Sequence, residues 1–126
     1  IGRIYLEQEN YQEASYWFKE FLENIESEPP KRVAINSVIF LIQSLFYSGK
    51  YNEIVLMDKS IDNYFSNNSD YDEEFALTNF YIGAAFINQG NLSKGAYYFY
   101  RAKESTTDEN IIKTIQQYID QIATYL

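Results

Sequence analysis

The chain has 126 residues, 46% hydrophobic and 18% aromatic, which is one domain's worth with a sizeable core and excludes wholesale disorder. Its formal charge is −8, from 18 acidic and 10 basic residues, the wrong sign for gripping a nucleic-acid backbone or an anionic membrane. With no Cys and no His it lacks thiol and imidazole chemistry, and no apolar run approaches the ~20 residues of a membrane span.

Apolar residues recur at spacings of three and four along the whole chain, which predicts helices and no strands. The first segment, about 1–8, opens with "IGRIYLEQENY" as if in mid-element, so the chain is read as a piece of a longer protein. Asn10 stands as the N-cap of a helix over about 11–27, with Glu13 at capping-box spacing. Pro29 and Pro30 separate it from a helix over about 31–48. The turn at Gly49 leads to a helix over about 51–65, and "SNNSDYDEE" (66–74) leads to another over about 71–89. The carboxylates of that stretch suit the positive end of the helix they open. Asn91 caps a helix over about 92–105. The last segment, about 108–125, carries one stripe of Ile111, Ile112, Ile115, Ile119, Ile122, Ala123 and Leu126, with Thr106 and Glu109 at capping-box spacing.

Three stretches share a register. Placing Gly90 over Gly49 and Glu9, at offsets of 41 and 40 residues, aligns the rest. Eight before the turn stand Ile1, Leu41 and Ile82, followed by Gly2, Ile42 and Gly83; four before it stand Tyr5, Leu45 and Phe86. After it come Tyr11, Tyr51 and Leu92, then Ala14, Ile54 and Gly95, then Phe18, Asp58 and Phe99, then Phe21, Ile61 and Ala102. One helix–turn–helix unit is used three times, over about 1–27, 31–65 and 71–105, with 108–125 as a capping helix.

The unit resembles the tetratricopeptide repeat (TPR). The third copy carries the resemblance through Ile82, Gly83, Phe86, Gly90, Phe99 and Ala102, and the first through Ile1, Gly2, Tyr5, Ala14 and Phe18. The second is degenerate, with Ile42, Ile54 and Asp58 at the small, alanine and aromatic positions. The period here is 40–41 against the family's ~34, and Asn79 stands where the family prefers a large apolar residue. The resemblance implies an all-α fold of antiparallel helix pairs stacked as a right-handed solenoid, in which Gly2, Gly83 and Ala14 mark close helix approaches and Phe18, Phe86 and Phe99 fill the spaces between.

No constellation for catalysis emerges. "DYDEE" (70–74) lacks the ligand alternation, central Gly and closing Glu of a calcium loop and reads as a solvated helix start. "NQGNLSKG" has no phosphate-loop spacing, and "NNS" and "NLS" are sequons in form only. The expectation is a protein that is not an enzyme and holds no cofactor or metal. In the run "YYFY" (97–100), Phe99 faces inward, while Tyr97, Tyr98 and Tyr100 are intermediate or wet.

By position, the resemblance implies a concave groove lined by first helices: Arg3, Leu6 and Glu7; Ile39, Gln43, Phe46 and Tyr47; Phe80, Ala84, Ile87 and Asn88. Phe80 and Tyr47 are the expected aromatic anchors, with Gln43 and Asn88 bonding a ligand's backbone. The Lys and Asn with which chaperone-binding relatives clamp a terminal carboxylate are replaced by Ile39, Gln43, Phe80 and Ala84, so that activity is not expected. The function implied is a non-enzymatic scaffold for a protein or peptide partner, with no nucleic-acid contact and no membrane span. Two alternatives stand beside it: the peptide- or ligand-sensing half of a bacterial transcription regulator, and a self-association domain giving a homo-oligomer. The compartment stays open, a cytoplasmic location being favoured over an exported one. The many Asn, Ile, Lys and Tyr codons hint at a bacterial source.

Overall fold

A computed structural model describes residues 2–3, 8, 10–23, 31–58, 61, 65 and 71–124. It is all-α, with no strand among those residues. The chain divides into two compact units, Ile1–Ser66 and Asn67–Leu126.

The first unit contains α1 (Tyr11–Glu23), α2 (Lys31–Tyr47) and α3 (Tyr51–Val55). Asn10 opens α1 as expected, although its contact is weak, with Oδ1 accepting from the Glu13 N–H at 3.5 Å. Helix α1 packs along α2 through Ala14 and Phe18, and the Phe18 ring lies 5.3 Å from that of Phe40. A Cβ built on Gly2 would sit 3.1 Å from the Phe18 ring, which accounts for a small residue at that place. Trp17, half-buried, meets Tyr16 edge to face, and its indole N–H is buried without an acceptor among the described residues.

The turn after α2 is built by Gly49 at φ 77°, a conformation that costs a side-chain-bearing residue energy and glycine almost none. Its N–H donates to the Phe46 carbonyl and the Lys50 N–H to the Leu45 carbonyl, the paired bonds of a Schellman stop. Beyond it the expected helix over 51–65 is interrupted. Helix α3 ends at Val55, and at 56–58 the bonding tightens, with Met57 N–H donating to Ile54 and Asp58 N–H to Val55. Asp58 occupies the place where the other two copies carry Phe18 and Phe99, so no ring anchors the helix there, and Asp is a poor helix former. Helical bonding resumes where the Ile61 N–H donates to Met57.

The second unit contains α4 (Asp72–Asn88), α5 (Leu92–Glu104) and α6 (Glu109–Ala123). Gly90, at φ 83°, repeats the Gly49 stop: its N–H donates to Ile87 and the Asn91 N–H to Phe86. Asn91 then caps α5, its Oδ1 accepting from the Lys94 N–H at 3.2 Å. Helices α4 and α5 close on each other through two glycines. A Cβ on Gly83 would lie 3.0 Å from the Gly95 carbonyl and 2.9 Å from the Phe99 ring; one on Gly95 would lie 3.1 Å from the Gly83 carbonyl and run into Ile87. Backbone faces backbone at this crossing.

Helix α6 is capped by Asp108, not by the expected pair Thr106 and Glu109. The Asp108 carboxylate accepts from the Asn110 and Ile111 N–H groups at 2.9 and 3.3 Å. Thr106 acts one step earlier, its hydroxyl oxygen accepting from the Asp108 N–H at 3.1 Å. A carboxylate at the positive end of the helix outcompetes a hydroxyl two residues back. The expected stripe of α6 is narrower in the structure: Ile115, Ile119 and Ile122 are buried, Ile111 and Ile112 half-buried, Ala123 exposed, and Leu126 lies outside the described residues. Together with Phe99 and Ala102, the three buried isoleucines form one core cluster of this unit.

Candidate binding groove

The residues expected to line a groove fall into several environments. In the first unit, Arg3 is exposed with its guanidinium 5.7 Å from the Phe40 ring centre, and Ile39 is 7% exposed, too buried to meet a ligand. Gln43 and Phe46 are half-buried and Tyr47 is exposed. The structure brings Phe46, Tyr47, Tyr51 and Tyr11 together as one aromatic group, with ring centres 5.2–5.5 Å apart. Leu6 and Glu7 lie outside the described residues.

In the second unit, Phe80, Ala84 and Ile87 are half-buried and packed against the core shared by α5 and α6. The Phe80 ring lies 5.4 Å from Phe99 and 5.3 Å from Tyr118. Asn88 is exposed, but its amide N–H donates to the Ala84 carbonyl of its own helix at 2.9 Å, a local bond that competes with a ligand. The aromatic run is split differently from expectation: Tyr97 and Tyr100 are exposed, while Tyr98 is buried beside Phe99 and stacked on Phe86 at 5.5 Å. Adjacent helical positions point about 100° apart, and a helix seated closely on α4 through Gly95 buries both.

The structure also forms a hollow that sequence reasoning missed. An open groove of about 280 Å³ runs between α4 and α6, lined by Glu73, Ala76, Leu77 and Phe80 on one side and Asn110, Ile111, Thr114 and Ile115 on the other. Phe80 is the one expected groove residue in that lining. The walls are mostly apolar, and Leu77 is 38% exposed within them. Helix α4 is apolar on nearly every side, so periodicity could not say which face stays open; the spare signal was Leu77 three residues before Phe80, opposite the isoleucine stripe of α6.

Both helices give their N-terminal turns to this groove, and both starts are acidic. Asp72, Glu73 and Glu74 open α4, and the cap Asp108 with Glu109 opens α6. A second hollow, about 290 Å³ in the first unit, is lined by Lys19, Leu22, Glu23, Leu41, Leu45, Glu53, Leu56 and Met57. The Lys19 ammonium pairs with Glu53 at 3.4 Å there, so its wall is more polar.

Among the described residues no group of three or more Asp, Glu, His or Cys side chains could hold a metal ion, and no helix is long and apolar enough to cross a membrane. Comparison with known proteins gives no relative: no family model matches the sequence, and neither a curated protein nor a solved structure matches it.

Proposed function

We propose that the chain is a non-enzymatic binding module of TPR-like helix pairs, stacked as a right-handed solenoid, that holds a protein or peptide segment against its helices. The α4–α6 groove carries this reading. It is an open, apolar-walled slot on rigid elements, with a few polar groups at its edge, the usual form of a recognition site. Further support for repeat units comes from the paired glycine stops at Gly49 and Gly90, which place the same turn in two copies. The aromatic group around Tyr47 is a second contact area on this reading, since rigid, half-exposed rings are common anchors.

The reading is tested with a displayed library of random peptides panned against the protein, followed by binding titrations of the enriched sequences. Leu77→Ala is expected to weaken them roughly tenfold, by ~1–2 kcal/mol, while melting close to the parent because Leu77 is partly exposed. Amide resonances of α4 and α6 should shift on binding. Enriched peptides that ignore Leu77→Ala and leave those resonances unmoved would place recognition elsewhere.

A further inference from the structure

The first unit holds the chain's only sulfur. The sequence has one Met and no Cys, and Met57 stands where the helical run after Gly49 is interrupted. We propose that Met57 is an oxidation site, and that a peroxide converting its thioether to the sulfoxide loosens the joint between α3 and the helical bonding that resumes at Ile61.

Access comes from the hollow in that unit. Met57 is half-buried and lines an open space of about 290 Å³ together with Leu22, Leu41, Leu45 and Leu56. Hydrogen peroxide is little larger than water, whose share of liquid volume is about 30 Å³, so the hollow admits it. The step needs nothing further from the protein. The sulfur lone pair attacks one peroxide oxygen, and an S–O bond forms as the O–O bond breaks. The second oxygen takes the proton of the first and leaves as water, so sulfur gives up two electrons and the peroxide accepts them. No thiol of this chain competes for the oxidant.

The product suits the site poorly. A sulfoxide puts a polar, chiral group in place of a flexible apolar one. Leu41 and Leu45, both buried in the wall, offer its oxygen no donor. The charged side chains of the lining are Lys19, Glu23 and Glu53. Both carboxylates repel the negative oxygen end of the S–O dipole, and the Lys19 ammonium already pairs with Glu53 at 3.4 Å. The oxidised side chain therefore leaves its leucines for water or draws Lys19 from Glu53. Either move removes a contact that seats α3 in the unit.

The joint itself is thinly held. The Met57 N–H donates to the Ile54 carbonyl at 2.9 Å and its carbonyl accepts from the Ile61 N–H at 3.2 Å, so its backbone carries the change from tightened to regular bonding. Ile54 and Ile61 are buried on either side. Within 56–58, Leu56 is 80% exposed and Asp58 supplies no ring, which leaves Met57 as the side chain that seats the joint.

The test treats the whole chain with dilute hydrogen peroxide and locates the added oxygen by peptide mass. Met57 is expected to gain one oxygen at a rate within about tenfold of free methionine. Hydrogen–deuterium exchange at Leu56, Met57, Asp58 and Ile61 should then speed up roughly tenfold, while the amides of α4 and α5 exchange as before. Met57→Leu, close in volume and inert to peroxide, should show no response. Met57→Gln, polar without any oxidant, should exchange as the oxidised protein does. Reductases acting on both sulfoxide epimers should restore the parent rates. Slower oxidation than the stated range overturns the access through the hollow, and an oxidised protein that exchanges like the parent overturns the loosened joint. An acceleration that persists in Met57→Leu comes from another residue and overturns the assignment.

Discussion

At the scale of single residues, Gly83 carries the sharpest constraint. Its hydrogen occupies a space bounded by the Gly95 carbonyl and the Phe99 ring, each within about 3 Å of where a Cβ would be. A carbonyl held in a neighbouring helix moves only if the helix moves. Alanine would return up to ~1 kcal/mol of helix propensity, so the truncated clash is partly offset. Leucine has no such compensation, and Gly83→Leu is expected to cost at least ~1–3 kcal/mol as α4 and α5 are forced apart. Glu73→Gln, on an exposed first turn, should change stability by less than about 0.5 kcal/mol. Denaturant midpoints of the two variants check this, and equal losses would mean that the close crossing is somewhere else. Asn79 stands out for a different reason. It is 1% exposed, its amide N–H donates to the Phe75 carbonyl at 2.8 Å, and its Oδ1 meets no donor among the described residues. The departure visible in the sequence is thus a buried, half-satisfied amide in the middle of α4.

Among the elements, α6 shows how a helix start is decided. Asp108 accepts two backbone N–H groups and adds its charge to the helix's positive end, so Asp108→Ala should cost about 1 kcal/mol, read as a lowered thermal midpoint. Glu109→Ala, which a capping box on Thr106 would make equally damaging, should cost much less. Helices and their stops were largely legible in the sequence because they depend on local chemistry: Gly49 and Gly90 announce positive φ, and Asn91 announces a cap. The early end of α3 was not, since it turns on one Asp where the other copies have a ring, and on tightened bonding that periodicity does not register. The site was less legible still. Phe80, expected as a groove anchor, lines the α4–α6 hollow, but Leu77, Ile111 and Thr114 beside it were not foreseen, because an all-round apolar helix such as α4 gives no clue to its open side. Ile39 failed for the same reason, lying in the run "VIFLI" where buried and open faces read alike.

On the scale of the molecule, the excess of acidic residues sets the response to salt. The Lys19–Glu53 pair is half-open to water at 3.4 Å and contributes little. Eight uncompensated negative charges repel one another in the folded chain, and salt shortens that repulsion to about 8 Å at physiological strength. Added sodium chloride should therefore raise the melting temperature, measured by circular dichroism; a fall would show that attractive pairs dominate.

The chain's one tryptophan, Trp17, lies in α1 of the first unit, half-buried, with its indole N–H shielded from water. The second unit, with α4, α5 and α6, absorbs near-ultraviolet light through tyrosine and phenylalanine alone. Light chosen to excite indole selectively therefore interrogates the first unit without labelling, and a blue-shifted emission reports that α1 is seated. Far-ultraviolet dichroism registers all the helices at once. Followed together through one melt, the two signals distinguish a molecule that unfolds as one cooperative body from one whose halves come apart in turn.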